Sequence, residues 1–228
     1  MNKRAHIVAG ACSGFIAFKL MTNGIISLRE LNQITQYSLG EQLLVDGMTA
    51  VAGGVFGGLL PDIDHPNSSF GKKVPEISKL IKHRGILHSP FFYIIAFTIL
   101  VLLASFEPVK LIIVLGIEIF AIWCISDIIK DYLKIGFFGS LIIICFIFIS
   151  LFKDYAIYGT NVMCFFAVIG IFVGVISHLL LDFITKAGIP LLYPITKKKM
   201  HIIGLTTGKH DWIIETVFIC ITLICLIA

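Results

Sequence analysis

The chain has 228 residues, is 57% hydrophobic and only 14% charged, with mean hydropathy +0.97 and a net charge of +4. Soluble domains carry roughly 25% charged residues, so this chain cannot cover a water-facing surface, and a soluble globular protein is excluded. The apolar runs are continuous rather than alternating, which predicts membrane-spanning helices rather than a barrel.

In chain order the apolar segments are Ala5–Met21, Leu43–Leu60, Pro90–Phe106, Leu111–Ile129, Ile135–Phe152, Val162–Ile184 and Trp212–Ala228. Each is near the ~20 residues that a bilayer core requires. The expected fold is an all-α integral membrane protein, a bundle of about seven transmembrane helices forming one domain over residues 1–228. Lys3 and Arg4 precede the first segment, as in a signal peptide, and Cys12 follows Ala9, Gly10 and Ala11 as in a lipoprotein site. The apolar stretch before Cys12 is too short for that and continues past it, so the segment reads as a first span. The second segment carries Gly53, Gly54, Gly57 and Gly58, and the first has Gly10 and Gly14 four apart. Small residues let helices approach closely in lipid, and no Walker-type lysine follows them. These glycines therefore read as packing. Between the two segments, Thr22–Gln42 has Leu28, Leu31, Ile34 and Tyr37 at helical spacing, which suggests a short interfacial helix.

Six cysteines, Cys12, Cys124, Cys145, Cys164, Cys220 and Cys225, all lie in apolar runs without a CxxC pair. A disulfide framework or zinc knuckle is not expected; the thiols read as small packing groups.

With the N-terminus placed in the cytoplasm, 14 Lys and Arg residues fall in inside loops and 4, Lys19, Arg29, Lys110 and Lys153, fall outside. The positive-inside rule favours this orientation. It also explains the basic loops, so their charge points neither to nucleic acid nor, alone, to an anionic substrate. In this topology all seven histidines fall at or near the cytoplasmic face. His6 starts the first span, and Pro61–Ser89 is the loop between the second and third. His178 ends the sixth span, and His201 and His210 lie in the last loop.

The loop reads PDIDHPNSSFGKKVPEISKLIKHRGILHS and holds Asp62, Asp64, His65, His83, Arg84 and His88. Carboxylates and imidazoles suit zinc, manganese or iron. Pro66 disfavours helix at His65, so the segment reads as a stiff turn. If extended, it points Asp62 and Asp64 to one side with Ile63 opposite. His83 and His88, five apart, fit one helix face poorly and are expected to approach a site from a loop and from the start of the third span. Arg84 could bind a phosphate or carboxylate oxygen bidentately, or serve only as a positive-inside charge. His178 and Asp182 are four apart and share a helix face. Ionisable groups in apolar segments are costly and usually face a polar interior. Glu215, after Thr206, Thr207 and Gly208, is a candidate base, ligand or supporting group; His201, His210 and Asp211 read as solvated or supporting. Deeper, Asp46, Glu118 and Asp127 are unusual. Asp127 lies near the cytoplasmic end of its span, while Glu118 is too deep to reach the cluster and is expected to pair internally.

His6 together with PDIDHPNS, HRGILHS and SHLLLDFIT resembles the YdjM-like family, described as inner-membrane, metal-dependent hydrolases associated with LexA regulation. The likeness runs from His6 to Glu215, with Leu87 standing where the usual motif has threonine. It implies a metal-dependent hydrolase in the bacterial inner membrane.

The expected function is a membrane-bound metallohydrolase acting on a phosphoester or lipid-linked substrate through a metal-activated water. The expected ligands are His6, Asp64, His65, His83, His88, His178 and Asp182. The cofactor would be one or two divalent ions, zinc first, with manganese or iron as alternatives. Asp62, Asp182 or Glu215 would act as base and Arg84 would stabilise the developing anion. Membrane lipids are the expected partners, with no nucleic acid. Two other classes share these features: a non-catalytic, metal-stabilised membrane regulator, and a metal transporter, which would need ionisable groups deep in several spans.

Overall fold

The computed structural model describes residues 3–29, 39–68, 71–72, 74–133, 160–206 and 208–227. The fifth apolar segment, Ile135–Phe152, the middle of Thr22–Gln42 and the side chain of Asp127 lie outside the described residues. The helices are α1 (Lys3–Arg29), α2 (Leu39–Leu59), α3 (Pro75–Leu80), α4 (Pro90–Leu103), α5 (Glu107–Leu133), α6 (Thr160–Ile184) and α7 (Asp211–Ile227). Among the described residues there is no strand, only two isolated bridges, Thr185 with Leu205 and Ile189 with Met200.

The all-helical expectation holds, but seven crossings are more than the described helices establish. Among the described residues, two helical stretches are long and apolar enough to cross a membrane, Lys3–Thr22 and Asn161–Ile184. The third apolar segment is cut short: α4 has 14 residues, about 21 Å of helix against a hydrocarbon core of about 30 Å. Ala104 closes it, and three residues later α5 begins. At the N-terminus the difference runs the other way, because α1 continues through Leu28 to Arg29 without a separate interfacial helix starting there.

The centre of the molecule is the packing of α2 against α1 and α6. Glycine makes it feasible. A Cβ on Gly54 would run into the carbonyl of Gly10, and one on Gly174 into the carbonyl of Gly54. Gly57 lies in the same way against the backbone of Ile171 in α6. The three backbones therefore touch directly, as small-residue interfaces in lipid allow. Around this seam Phe18, Ala50 and Phe166 form one buried cluster, and Ala52, Ile117, Ala167, Ile171 and Val175 belong to another.

The seam also positions the loop. Where α2 ends, Leu60–Asp64 tightens into a 3₁₀ turn with Pro61 in its first turn. Proline fits there because its fixed φ suits the helix and the missing N–H would have no partner. The turn stops at His65, ahead of Pro66. The stiff turn expected around Asp62–His65 is thus a 3₁₀ turn rather than extended backbone, with Pro61 setting the local geometry. A second 3₁₀ turn, Ile86–His88, leads into α4. Ser89 ties that junction to the last loop, donating from Oγ to the Tyr193 carbonyl at 2.9 Å.

Candidate metal centre

Eight of the ten sequence-derived candidates meet at the ends of α1, α2 and α6. His6 comes from the first turn of α1, Asp62 and Asp64 from the 3₁₀ turn, His83 and Arg84 from the loop. His88 comes from the 3₁₀ turn before α4, and His178 and Asp182 from the last turns of α6. Their polar atoms fall into three overlapping groups that could hold a metal ion: His6, His178 and Asp182; Asp62, His88 and His178; and Asp64, His83 and His88.

His178 is wholly buried and forms the middle of the site. Its Nδ1 lies 2.7 Å from the Gly58 carbonyl, which fixes Nδ1 as the protonated nitrogen and leaves the Nε2 lone pair free, as second-sphere bonds do for ligating imidazoles. Nε2 lies 3.8 Å from Asp62 Oδ1 and 3.8 Å from Asp182 Oδ2. The His6 ring stacks on it with centroids 3.8 Å apart, and His6 Nε2 is 3.9 Å from Asp182 Oδ1. His88 joins the halves of the site. Its Nε2 is 3.4 Å from Asp182 Oδ2 and 4.0 Å from Asp62 Oδ1, while its Nδ1 is 3.3 Å from Asp64 Oδ2. Asp64 is completely buried and accepts from His83 Nδ1 at 2.8 Å and from the Arg84 backbone N–H at 3.1 Å.

Most of these separations are too long for hydrogen bonds. The separations of His88 from Asp64 and Asp182, 3.3 and 3.4 Å, match another arrangement: two donors each about 2.1 Å from a shared tetrahedral ion sit roughly 3.4 Å apart. His6 Nδ1, both nitrogens of His88 and His178 Nε2 are buried without a hydrogen-bond partner. Buried polar atoms are rarely left so. Charge points the same way. Three carboxylates, Asp62, Asp64 and Asp182, face one guanidinium, so with neutral imidazoles the cluster carries two net negative charges, which a divalent cation would neutralise. The donor set and the unpartnered nitrogens therefore fit a divalent ion.

The electrostatics of the bare cluster agree. Burial works against charge on His88, but the Asp182 and Asp64 carboxylates beside it outweigh that and raise its pKa to about 9. A proton there partly compensates the carboxylates. For Asp64, burial favours the neutral acid, yet the hydrogen bond from His83 and the nearby His88 prevail and hold its pKa below the usual value.

The remaining candidates sit differently. Arg84 turns its guanidinium inward: Nη2 donates to Asp182 Oδ1 at 3.2 Å and Nη1 to the Gly188 carbonyl at 3.2 Å. Its backbone is in the left-handed region with φ 56°, an uncommon conformation for a residue with a Cβ, and this is what lets its N–H and its side chain serve two different aspartates. His65 belongs to none of the three groups. Its Nδ1 accepts from the Asn67 N–H at 3.0 Å, and its ring packs edge-on to His83 at 4.4 Å. Glu215 lies one turn into α7 and also belongs to none. Glu118 pairs far from the cluster, accepting from the Thr49 hydroxyl at 2.9 Å. Two backbone contributors had no side-chain signal in the sequence: the Gly58 carbonyl, hidden in a packing glycine, and the Gly188 carbonyl, in a loop without titratable residues beside it.

The model of the YdjM inner membrane protein family matches residues 1–136 and 135–228 of the chain. No curated protein matches it, and no solved structure does.

Proposed function

The chain belongs to the YdjM inner membrane protein family, and we propose that it is a metal-dependent hydrolase acting at the cytoplasmic face of the inner membrane on a phosphoester or lipid-linked substrate. One observation carries this reading: four buried imidazole nitrogens without partners lie among three carboxylates at the ends of the packed helices. The distribution of 14 against 4 basic residues supports a multi-pass topology of about seven spans with the N-terminus and the cluster on the cytoplasmic side.

His6, His178 and Asp182, with His88, Asp64 and His83, are the residues that would hold one or two divalent ions, zinc being the first choice for imidazole and carboxylate donors. When bound, such an ion polarises a substrate oxygen and lowers the pKa of water, for zinc from 15.7 to about 7. The protein's own groups supply the rest. Asp62 has the most exposed of the three carboxylates, at 20%, so it is the one placed to take the proton of the attacking water. The water oxygen forms the new bond to phosphorus and the ester P–O bond breaks. The proton received by Asp62 passes to the leaving alkoxide. Arg84 keeps Asp182 oriented and has N–H groups left to face a developing anion. His65 backs His83, and Glu215 is the more distant candidate base.

Asp62→Asn tests the assignment. Hydrolysis of phosphoester lipids by purified protein should fall by about 10²–10⁴ while the metal content stays at the wild-type level. Unchanged hydrolysis would remove Asp62 from the chemistry.

A further inference from the structure

Directly beside the cluster is a cavity of about 210 Å³ lined almost wholly by apolar side chains. Its walls are Phe92, Ala96 and Leu100 on α4 and Ile171, Phe172 and Val175 on α6. It exists because α4 and α6 touch over only a few residues, leaving a gap along their length. The end of the gap nearest the loop is closed by Ile63 and Leu87. These two are chain neighbours of the site: Ile63 lies between Asp62 and Asp64, and Leu87 precedes His88. Tyr93 also lines the cavity. It is 8% exposed, and its hydroxyl is buried with no hydrogen-bond partner. An apolar cavity that needed only hydrocarbon packing would not keep a hydroxyl; a buried one normally finds a partner.

We propose that this cavity takes one acyl chain of a membrane lipid whose ester head lies on the His/Asp cluster, with the Tyr93 hydroxyl donating to an oxygen at the head of that chain. The proposal rests on the metallohydrolase reading and names its substrate class. The volume suits a segment of one hydrocarbon chain and is below the ~300–1,000 Å³ typical of sites for whole small molecules. The opposite face of α4 exposes Phe91, Ile94, Ile95 and Ile99, a surface suited to lipid, so a chain would enter sideways from the bilayer. A water-soluble phosphoester would leave both the cavity and the Tyr93 hydroxyl unused.

The test uses full-length protein in nanodiscs of phosphatidylethanolamine and phosphatidylglycerol. A trace of phosphatidylglycerol carries a diazirine on one acyl chain. After irradiation, adducts are mapped by mass spectrometry, and the metal content of the same samples is measured. The expected adducts fall on the cavity-facing residues of α4 and α6. Ala96→Trp should abolish them with metal retained, whereas Ile94→Trp, on the outward face, should not. Tyr93→Phe, which removes only the hydroxyl, should lower cavity labelling at limiting probe about fivefold, the loss of one hydrogen bond. Labelling confined to outward residues such as Ile95 and Ile99, or cavity labelling that survives Ala96→Trp, would overturn the proposal. The two ideas fail separately. Metal-loaded protein without cavity adducts rejects the chain site alone, and metal-free protein with cavity adducts rejects the metal centre alone.

Discussion

Buried imidazole nitrogens that lack a hydrogen bond are tolerated when something else uses them, and at the residue scale His6, His88 and His178, which carry such nitrogens, define the site. His88 gives the most direct consequence. Its pKa in the bare cluster is raised to about 9, so below that pH it carries a proton that a metal must displace. Metal affinity should therefore climb with pH from 6 towards 9, by about tenfold per unit for one released proton, and level off above. Asp64, with its pKa held low, is ionised across that range and adds no slope. A chelator-competition titration at several pH values checks this; a flat profile would mean that His88 is not displaced. At this scale much was legible in the sequence. Asp62, Asp64, His83, His88, His178 and Asp182 come together with His6 in the structure, and their placement at the ends of apolar segments suggested it. What the spacing could not show was the use of each group. Arg84, which the sequence left as an anion binder or a positive-inside charge, turns its guanidinium to the Asp182 carboxylate and the Gly188 carbonyl. His65 accepts from the Asn67 N–H within the turn, with its ring against His83.

The glycines of α2 decide the architecture at the scale of elements. Gly54 meets Gly10 on one side and Gly174 on the other, and no side chain fits in either direction. Gly54→Leu should lower stability by about 1–3 kcal/mol or more through overpacking. Because Gly58 follows one turn later and its carbonyl orients His178, the variant should also lose metal. Gly116→Leu on α5 is the matched control, since a Cβ there meets nothing within 4 Å. Thermal unfolding in detergent of both variants distinguishes this from a generic cost of leucine in a helix; equal behaviour would contradict the close-packed seam. The glycine pattern announced close packing in the sequence, yet not which helices share it, because four-residue spacing is the same whichever neighbour is met. The 3₁₀ turn at Leu60–Asp64 was similarly hidden. A proline at its start and another after its end are compatible with either an extended or a helical turn.

The whole molecule combines the helical scaffold of an inner membrane protein family with a polar cluster at the ends of its packed helices. If the topology follows the basic residues, single cysteines replacing Lys198 and Lys110 in a background without native cysteines should differ in labelling. An impermeant maleimide added to intact spheroplasts should label the Lys110 position and miss the Lys198 position. The reverse pattern would put the cluster on the outer face. The number of crossings was the least legible feature. Hydropathy counts apolar residues but not where helices break, and α4 ends at Leu103 after 14 residues although the apolar run continues to Phe106. Whether the cluster holds a metal is decided by elemental analysis of protein purified without chelator, beside a His178→Ala, Asp182→Ala double variant. One or two equivalents of a divalent metal in the parent, lost in a folded double variant, is the predicted result. No metal in the parent, even after incubation with zinc, manganese and iron, would contradict it and leave the cluster as a polar cap on the helix ends.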